Sequence, residues 1–140
     1  MFNEKSPSDL SVSVHEYFKN KGVDFAFLFF TKIIKEALYK SIPTINFHPS
    51  ILPLFKGFGA IQKSIDSGCR YIGATAHLAN GDIDGGQILA QTATPIGLNL
   101  NSETVKRISY VQKVLITLVI LEKLSDKTLI FETCDAGSFK

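Results

Sequence analysis

Two polar side chains stand at the end of a strand-like segment, where a buried strand normally carries aliphatic residues. Residues 44–47 read Thr-Ile-Asn-Phe, and His48 and Pro49 follow. Side chains alternate along a strand, so Asn46 and His48 share one face. Pro49 cannot donate to a sheet ladder, which ends the strand there. An amide and an imidazole at this position can bind a ligand beyond the carboxyl end of the strand, or they can satisfy loop backbone groups.

An acidic, glycine-rich turn follows further along the chain. Residues 80–86 read NGDIDGG and contain Asp82 and Asp84. A carboxylate in such a turn can accept and pass protons, although turns favour Asp and Gly for conformational reasons alone. His77, in the preceding strand pattern, is interpreted as a packed strand residue, and His15 as a surface residue of a helix.

The sequence predicts neither a metal site nor a serine nucleophile. His48, His77, Asp82 and Asp84 have suitable ligand atoms, but no pair has a recognised zinc spacing, so no metal is predicted. Ser50 lacks the strand–elbow–helix context of a G-x-S-x-G nucleophile, and we interpret it as a residue that holds its loop.

The composition is that of one soluble globular domain covering residues 1–140. Hydrophobic residues make up 45% and charged residues 20% of 140 residues, which excludes a largely disordered chain. A net charge of +2 without a basic cluster argues against nucleic acid and anionic membranes as partners. Cys69 and Cys134 indicate free thiols in a reducing compartment, and the polar start has no signal-peptide core, so a cytoplasmic location is predicted.

The pattern of elements predicts an α/β fold with a mainly parallel sheet flanked by helices. Residues 1–8 are expected to be loose and to precede a helix over 9–21. A buried strand over 23–30, a helix from Thr31 through residue 40 and a strand over 41–47 would form a βαβ unit. A helix over 59–68, two strands over 71–79 and 86–96, a helix over about 102–124 and a short strand over 128–133 complete the prediction.

The two motifs together resemble the catalytic half of the folate-dependent formyltransferases. The segments are INFHPSILPLFKGFGAIQKSIDSG, residues 45–68, and GATAHLANGDIDGGQILAQTATPI, residues 73–96. The resemblance implies a Rossmann-like formyltransferase fold, 10-formyltetrahydrofolate as formyl donor without a metal, and a small amine as acceptor. It implies catalytic roles for Asn46, His48 and Asp84. The residues implied to border the folate pocket are Phe30, Lys32, Ile33, Ile34, Leu78, Asn80, Gly81 and Asp82.

The residue types suit that chemistry. Formyl transfer to an amine passes through a tetrahedral intermediate whose oxyanion needs preorganised donors. The amide of Asn46 and a protonated His48 would supply two, and Asp84 would favour the imidazolium and relay the proton of the amine.

The chain departs from the family at its start. Residues 1–22 contain a single glycine, Gly22, and no glycine-rich loop. The family, in contrast, begins with a strand and a glycine-rich loop that holds a phosphate. The expectation is an N-terminally truncated form whose exposed sheet edge can pair with a partner or a second copy. Pro49 favours the branch that formylates glycinamide ribonucleotide in purine biosynthesis. The alternatives are formyltetrahydrofolate deformylase, a sugar-amine or methionyl-tRNA formyltransferase, or an inactive folate-binding fragment.

Overall fold

The computed structural model describes residues 7–29, 34, 36–97 and 100–129. Within them the chain forms four helices and four strands. In chain order they are α1 Pro7–Lys21, β1 Ala26–Leu28, α2 Glu36–Tyr39, β2 Thr44–His48, α3 Ala60–Asp66, β3 Tyr71–Leu78, β4 Ile88–Pro95 and α4 Ser102–Ser125. No described helix combines the length and the apolar character needed to cross a membrane.

The described strands form one mixed sheet in the order β1-β2-β3-β4. β1 and β2 are parallel, whereas the β2–β3 and β3–β4 pairs are antiparallel. The prediction of a mainly parallel sheet is therefore wrong for the described strands, although the α/β class is confirmed. Among the described strands, a parallel crossover joins only β1 and β2. The chain reverses through α3 before β3 and reverses again before β4.

The main core lies between the sheet and α4. Its buried side chains alternate along β2 and β3 and meet one face of the long helix. They are Ile45, Phe47, Ala74, Ala76, Ile116 and Ile120. A second cluster of Ala26, Leu38 and Ile42 joins β1 to α2, with Val14 and Phe18 of α1 packed against it. Helices therefore cover both faces of the sheet, which leaves the ends of β2 and β3 to form a site.

Several element boundaries differ from the predicted ones. α1 begins at Pro7, so residues 7 and 8 are helical rather than loose. β1 spans only Ala26–Leu28 because Val23 still donates its N–H to the Phe18 carbonyl at the end of α1. Thr128 and Leu129 are not in a strand. Residues 1–6 and 130–133, and residues 30–33 and 35 of the predicted strand and helix, lie outside the described part of the chain.

The other predicted elements are confirmed to within a few residues. α4 begins at Ser102, and its N-cap is Asn101, whose Oδ1 accepts the N–H of Thr104 at 2.8 Å. Between β3 and β4 the register shifts by one residue at Ala76 and His77, which marks a β-bulge beside Asn46 and Phe47 of β2.

Candidate active site

Three polar side chains meet where β2 and β3 pair. Asn46 lies directly opposite His77 in the antiparallel register, and His48 lies opposite Thr75. Ile45 and Phe47 point into the core, so the predicted alternation of β2 is confirmed. The cross-strand register therefore brings His77 to the predicted Asn46 and His48 pair.

Asp84 connects these side chains. One carboxylate oxygen lies 3.1 Å from His48 Nδ1 and accepts the N–H of Gly57 at 2.7 Å. The other accepts from Asn46 Nδ2 at 3.3 Å and lies 3.4 Å from His77 Nε2. The backbone of Asp84 is left-handed, with φ 48°, a conformation that Asp tolerates better than most residues and that often marks functional sites. The turn thus aims the carboxylate at all three polar side chains.

The His77 ring contacts the Leu78 carbonyl, the Asn46 amide and the Asp84 carboxylate. His77 Nδ1 lies 3.0 Å from the Leu78 carbonyl, which only accepts, so Nδ1 carries a hydrogen. Its Nε2 lies 3.1 Å from Asn46 Nδ2 and 3.4 Å from an Asp84 carboxylate oxygen. The two hydrogens of the Asn46 amide are thus directed at His77 and Asp84. His77 therefore orients the Asn46 amide and is not only a packed strand residue.

His48 is buried between two acceptors. Its Nε2 lies 2.9 Å from the Phe55 carbonyl and its Nδ1 3.1 Å from Asp84, so either neutral tautomer would direct a lone pair at an oxygen. The two contacts suit a doubly protonated ring. Burial nevertheless lowers the pKa of His48, and this effect outweighs the Phe55 carbonyl and Asp84, which raise it. His48 is therefore positioned to donate protons while its imidazolium is made more acidic.

A cavity of about 280 Å³ opens beside these residues. Four of the residues implied to border the folate pocket line it: Ile34, Asn80, Gly81 and Asp82. Leu78 does not line it, because the strand alternation that turns His77 toward the site packs Leu78 against the core. Phe30, Lys32 and Ile33 lie outside the described residues. The cavity has an apolar wall that includes Leu28, Phe29 and Ile34 and a polar wall at residues 80–82.

Lys113 of α4 also lines the cavity, which the sequence did not predict. Its ammonium lies 5.7 Å from the centre of the Phe29 ring, a cation–π distance, and burial lowers its pKa. Its charge also lowers the pKa of His48. The sequence pattern of α4 identifies only the side packed on the sheet, and whether Lys113 reaches the end of β2 depends on how the helix crosses the sheet.

The loop after β2 is held by Ser50 and Thr75. Ser50 Oγ donates to the Leu54 carbonyl at 2.7 Å, and Thr75 Oγ1 donates to the Ser50 carbonyl at 2.7 Å. The interpretation of Ser50 as a loop-holding residue is confirmed. Among the described residues, no group of three or more His, Cys, Asp or Glu side chains is arranged to hold a metal ion.

Gly86 is required by the close approach of the turn to β3. A Cβ at this position would lie 1.7 Å from the Leu78 carbonyl oxygen, so the backbone must move. We expect Gly86→Ala to lower the free energy of unfolding by about 1–3 kcal/mol, the usual cost of overpacking, and to displace Asp84. Chemical denaturation measures the loss. Gly81→Ala in the same turn is the matched control, because its Cβ would meet nothing closer than 4.0 Å. Equal stability of the two variants would contradict this account of the turn.

The comparison with known proteins agrees with this geometry. The family model described as formyl transferase matches residues 4–119, which include both β2 and the Asp84 turn. The chain belongs to the formyl transferase family. A chloroplastic phosphoribosylglycinamide formyltransferase of Arabidopsis thaliana is 38% identical over an alignment of 102 positions that covers 67% of this chain and 34% of that protein. A formyltetrahydrofolate deformylase of Haemophilus influenzae is 32% identical over 89 residues, 63% of this chain and 32% of that protein.

Solved formyl transferase structures share the fold. The phosphoribosylglycinamide formyltransferase of Campylobacter jejuni superposes with a TM-score of 0.75 at 29% identity, covering 88% of this chain and 66% of that one. A formyltetrahydrofolate deformylase of Pseudomonas syringae superposes with a TM-score of 0.80 at 23% identity, covering 94% of this chain and 45% of that one. The Rossmann-like formyltransferase fold is therefore confirmed, and the chain spans about a third of the curated Arabidopsis relative.

Proposed function

We propose that this chain transfers the formyl group of 10-formyltetrahydrofolate to a primary amine. The observation that carries the proposal is the position of the Asp84 carboxylate, within 3.4 Å of Asn46, His48 and His77 at the edge of one cavity. An amide, two imidazoles and a carboxylate form a hydrogen-bonded group that can donate to an oxyanion and move a proton.

The cavity suits the formyl donor. A pterin is a flat heteroaromatic ring with hydrogen-bonding edges. The apolar wall beside Phe29 and Ile34 offers it a packing surface, and the turn at Asn80 and Asp82 offers polar groups. Asn80 Oδ1 accepts the N–H of Asp82 at 3.0 Å, which fixes the shape of that turn.

His48 is the proposed donor to the reacting oxygen and the proposed acid. The amine nitrogen forms a bond to the formyl carbon, and the carbonyl electron pair moves to the oxygen. His48 donates its Nε2–H to that oxygen. In the ligand-free structure the same nitrogen contacts the Phe55 carbonyl, so that contact must break first. The electron pair on the oxygen then re-forms the C=O bond as the bond from carbon to the donor nitrogen breaks, and that nitrogen takes the bonding pair and a proton from the His48 imidazolium. The lowered pKa of His48 makes its imidazolium a better proton donor for this step.

Asp84 and Asn46 complete the proposed roles. The Asp84 carboxylate is the group that takes the proton of the attacking amine, directly or through water, and its contact with Nδ1 favours the imidazolium of His48. The Asn46 amide is oriented by His77 and Asp84, and it donates to the oxyanion when one of these two contacts is released.

Glycinamide ribonucleotide is the proposed acceptor. Phosphoribosylglycinamide formyltransferases are among the relatives of highest similarity, and the Asn46–Pro49 segment led to the same branch of the family. The second candidate is hydrolysis of the same donor, because deformylases match over a comparable length and share the fold.

Product analysis distinguishes the two reactions. The chain is incubated with 10-formyltetrahydrofolate, with and without glycinamide ribonucleotide, and free formate and formylated amine are both quantified. We expect formylated amine in the presence of the acceptor and little free formate in its absence. Formate release that is independent of the amine would support the deformylase. Absence of both products at full occupancy of the donor would reject catalysis by this chain.

The ionisation of His48 should respond in opposite directions to its two charged neighbours. We expect a pKa below the ordinary 6.5 in the ligand-free protein, because burial dominates. Asp84→Asn should lower the pKa further by removing a negative charge, and Lys113→Met should raise it by removing a positive one. Because the active form is the imidazolium, the high-pH limb of turnover should move to higher pH in Lys113→Met. Titration of the His48 ring by NMR measures the shifts, and identical curves in all three proteins would contradict this electrostatic account.

A further inference from the structure

Lys113 presents a positive charge to the cavity without an acidic partner. It is the one Lys or Arg side chain among the described residues that line the cavity. No described carboxylate lies within ion-pair distance of its ammonium, and none offsets the lowering of its pKa by burial. A half-buried cation in this position is stabilised when a ligand brings an anion to it.

The Lys113 ammonium lies on the α4 side of β2. Phe47 points from β2 into the core beneath α4. The Phe29 ring stacks on Phe47 at 4.7 Å, and the ammonium lies 5.7 Å from the centre of the Phe29 ring. Lys113 therefore reaches the cavity over two stacked aromatic rings, from the face of the sheet that packs on α4.

The groups that suit the pterin lie on the other side of β2. Asn46 and His48 alternate with the core residues of the strand and face away from α4. Ile34 packs against the cluster on that second face, and the Asp84 turn contacts Asn46 and His48 there. The cavity therefore extends around the end of β2, from Ile34 and the turn to Lys113.

We propose that Lys113 binds the anionic group of the amine acceptor, which is the phosphate in glycinamide ribonucleotide. This role rests on the proposed function, because an acceptor is needed only if the chain transfers a formyl group. A pterin held at Ile34 and the turn places the formyl carbon beside Asn46 and His48. The amine then approaches that carbon from the remaining side of the cavity, where Lys113 lies. An oxyanion bound to the ammonium orients the amine toward the reacting carbon.

The same contact links acceptor binding to the charge of His48. Burial, His77 and Lys113 lower the pKa of His48, whereas the Phe55 carbonyl and Asp84 raise it. These groups face the ring from β3, α4, the loop after β2 and the Asp84 turn. An oxyanion on Lys113 cancels the positive charge that acts on His48, so the pKa of His48 rises. The imidazolium, which is the proposed acid, is therefore favoured when the acceptor is bound.

Calorimetric titration separates the phosphate contact from the rest of the acceptor. Glycinamide ribonucleotide, and the ribonucleoside that lacks its phosphate, are titrated into protein saturated with a non-reactive folate analogue. We expect Lys113→Met to weaken binding of the nucleotide about tenfold, the weight of one charge-assisted hydrogen bond, and to change binding of the nucleoside little. Lys123→Met is the matched control, because Lys123 is exposed on the same helix and does not line the cavity.

Two results of this titration would overturn the proposal. One is an equal effect of Lys113→Met on nucleotide and nucleoside, including no effect on either. The other is weaker binding of the folate analogue in Lys113→Met with unchanged affinity for the nucleotide, which would assign Lys113 to a carboxylate of the donor.

Inorganic phosphate tests the anion site without an assumption about the reaction. The His48 ring is titrated by NMR in phosphate and in chloride at equal ionic strength. We expect a higher pKa of His48 in phosphate for the wild type and Lys123→Met, and no difference between the two salts for Lys113→Met. This response in a protein that transfers no formyl group would reject the proposed function and retain Lys113 as an anion-binding residue. Formyl transfer by a wild type whose His48 does not respond to phosphate would retain the function and overturn the role of Lys113.

Discussion

His48→Ala, Asn46→Ala and Asp84→Asn are each expected to lower turnover of formyl transfer by about 10²–10³, which is roughly 3–4 kcal/mol of transition-state stabilisation. The His48 variant loses the proton donor between Phe55 and Asp84. The Asn46 variant loses the amide that bridges His77 and Asp84. The Asp84 variant keeps its shape but loses the negative charge beside His48. Steady-state turnover at saturating donor and acceptor measures all three.

Binding and folding controls separate chemistry from structure in these variants. Affinity for a non-reactive folate analogue should change little, because the proposed roles concern the reacting atoms. Asp66→Asn is a matched control for Asp84→Asn. Asp66 is exposed on α3 and its carboxylate contacts only Gln62 among the described residues, so its variant should retain wild-type turnover. Wild-type turnover in His48→Ala, Asn46→Ala and Asp84→Asn would reject the assignment of these residues.

Phe47→Ala is expected to lower the free energy of unfolding by about 3–5 kcal/mol, the range measured for buried Phe residues. Phe47 is 2% exposed and its ring stacks on Phe29 at 4.7 Å and meets Phe27 edge-on at 5.2 Å. It also lies between Asn46 and His48 in β2. A cavity at this position therefore removes core contacts from the strand that presents the site. Proteins of this size are commonly stable by only about 5–15 kcal/mol, so the loss is a large fraction of the total.

Chemical denaturation monitored by circular dichroism measures this loss. Phe58→Ala is the matched control, because the same substitution at a ring that is 63% exposed should change stability by less than about 0.5 kcal/mol. Equal stability of the Phe47 and Phe58 variants would show that the core at β2 is not packed as described.

Local rules in the sequence predicted the central strand of the site correctly. The alternation of residues 44–48 predicted that Asn46 and His48 share a face, and Pro49 predicted the end of the strand. The spacing from this strand to the NGDIDGG turn, together with the family resemblance, predicted that Asp84 joins them. The first two features depend on residues that are close in sequence, and the third depends on the order and distance of two motifs along the chain.

Long-range geometry limited the rest of the prediction. His77 reaches Asn46 only because β2 and β3 are antiparallel and in a particular register, and a strand pattern does not give its direction. Lys113 reaches the cavity through the crossing of α4 over the sheet, and Phe55 reaches His48 through the path of a loop. Leu78 was placed at the pocket by resemblance, although alternation with His77 turns it to the core.

Single-turnover transfer of an isotopically labelled formyl group tests the central claim most directly. The chain is saturated with labelled 10-formyltetrahydrofolate, glycinamide ribonucleotide is added, and label on the amine is followed over time. The account predicts transfer to the amine by the wild type, slowed about 10²–10³-fold in His48→Ala while the donor remains bound. Transfer at the same rate in His48→Ala, or label that never reaches an amine from a fully occupied wild-type protein, would contradict it.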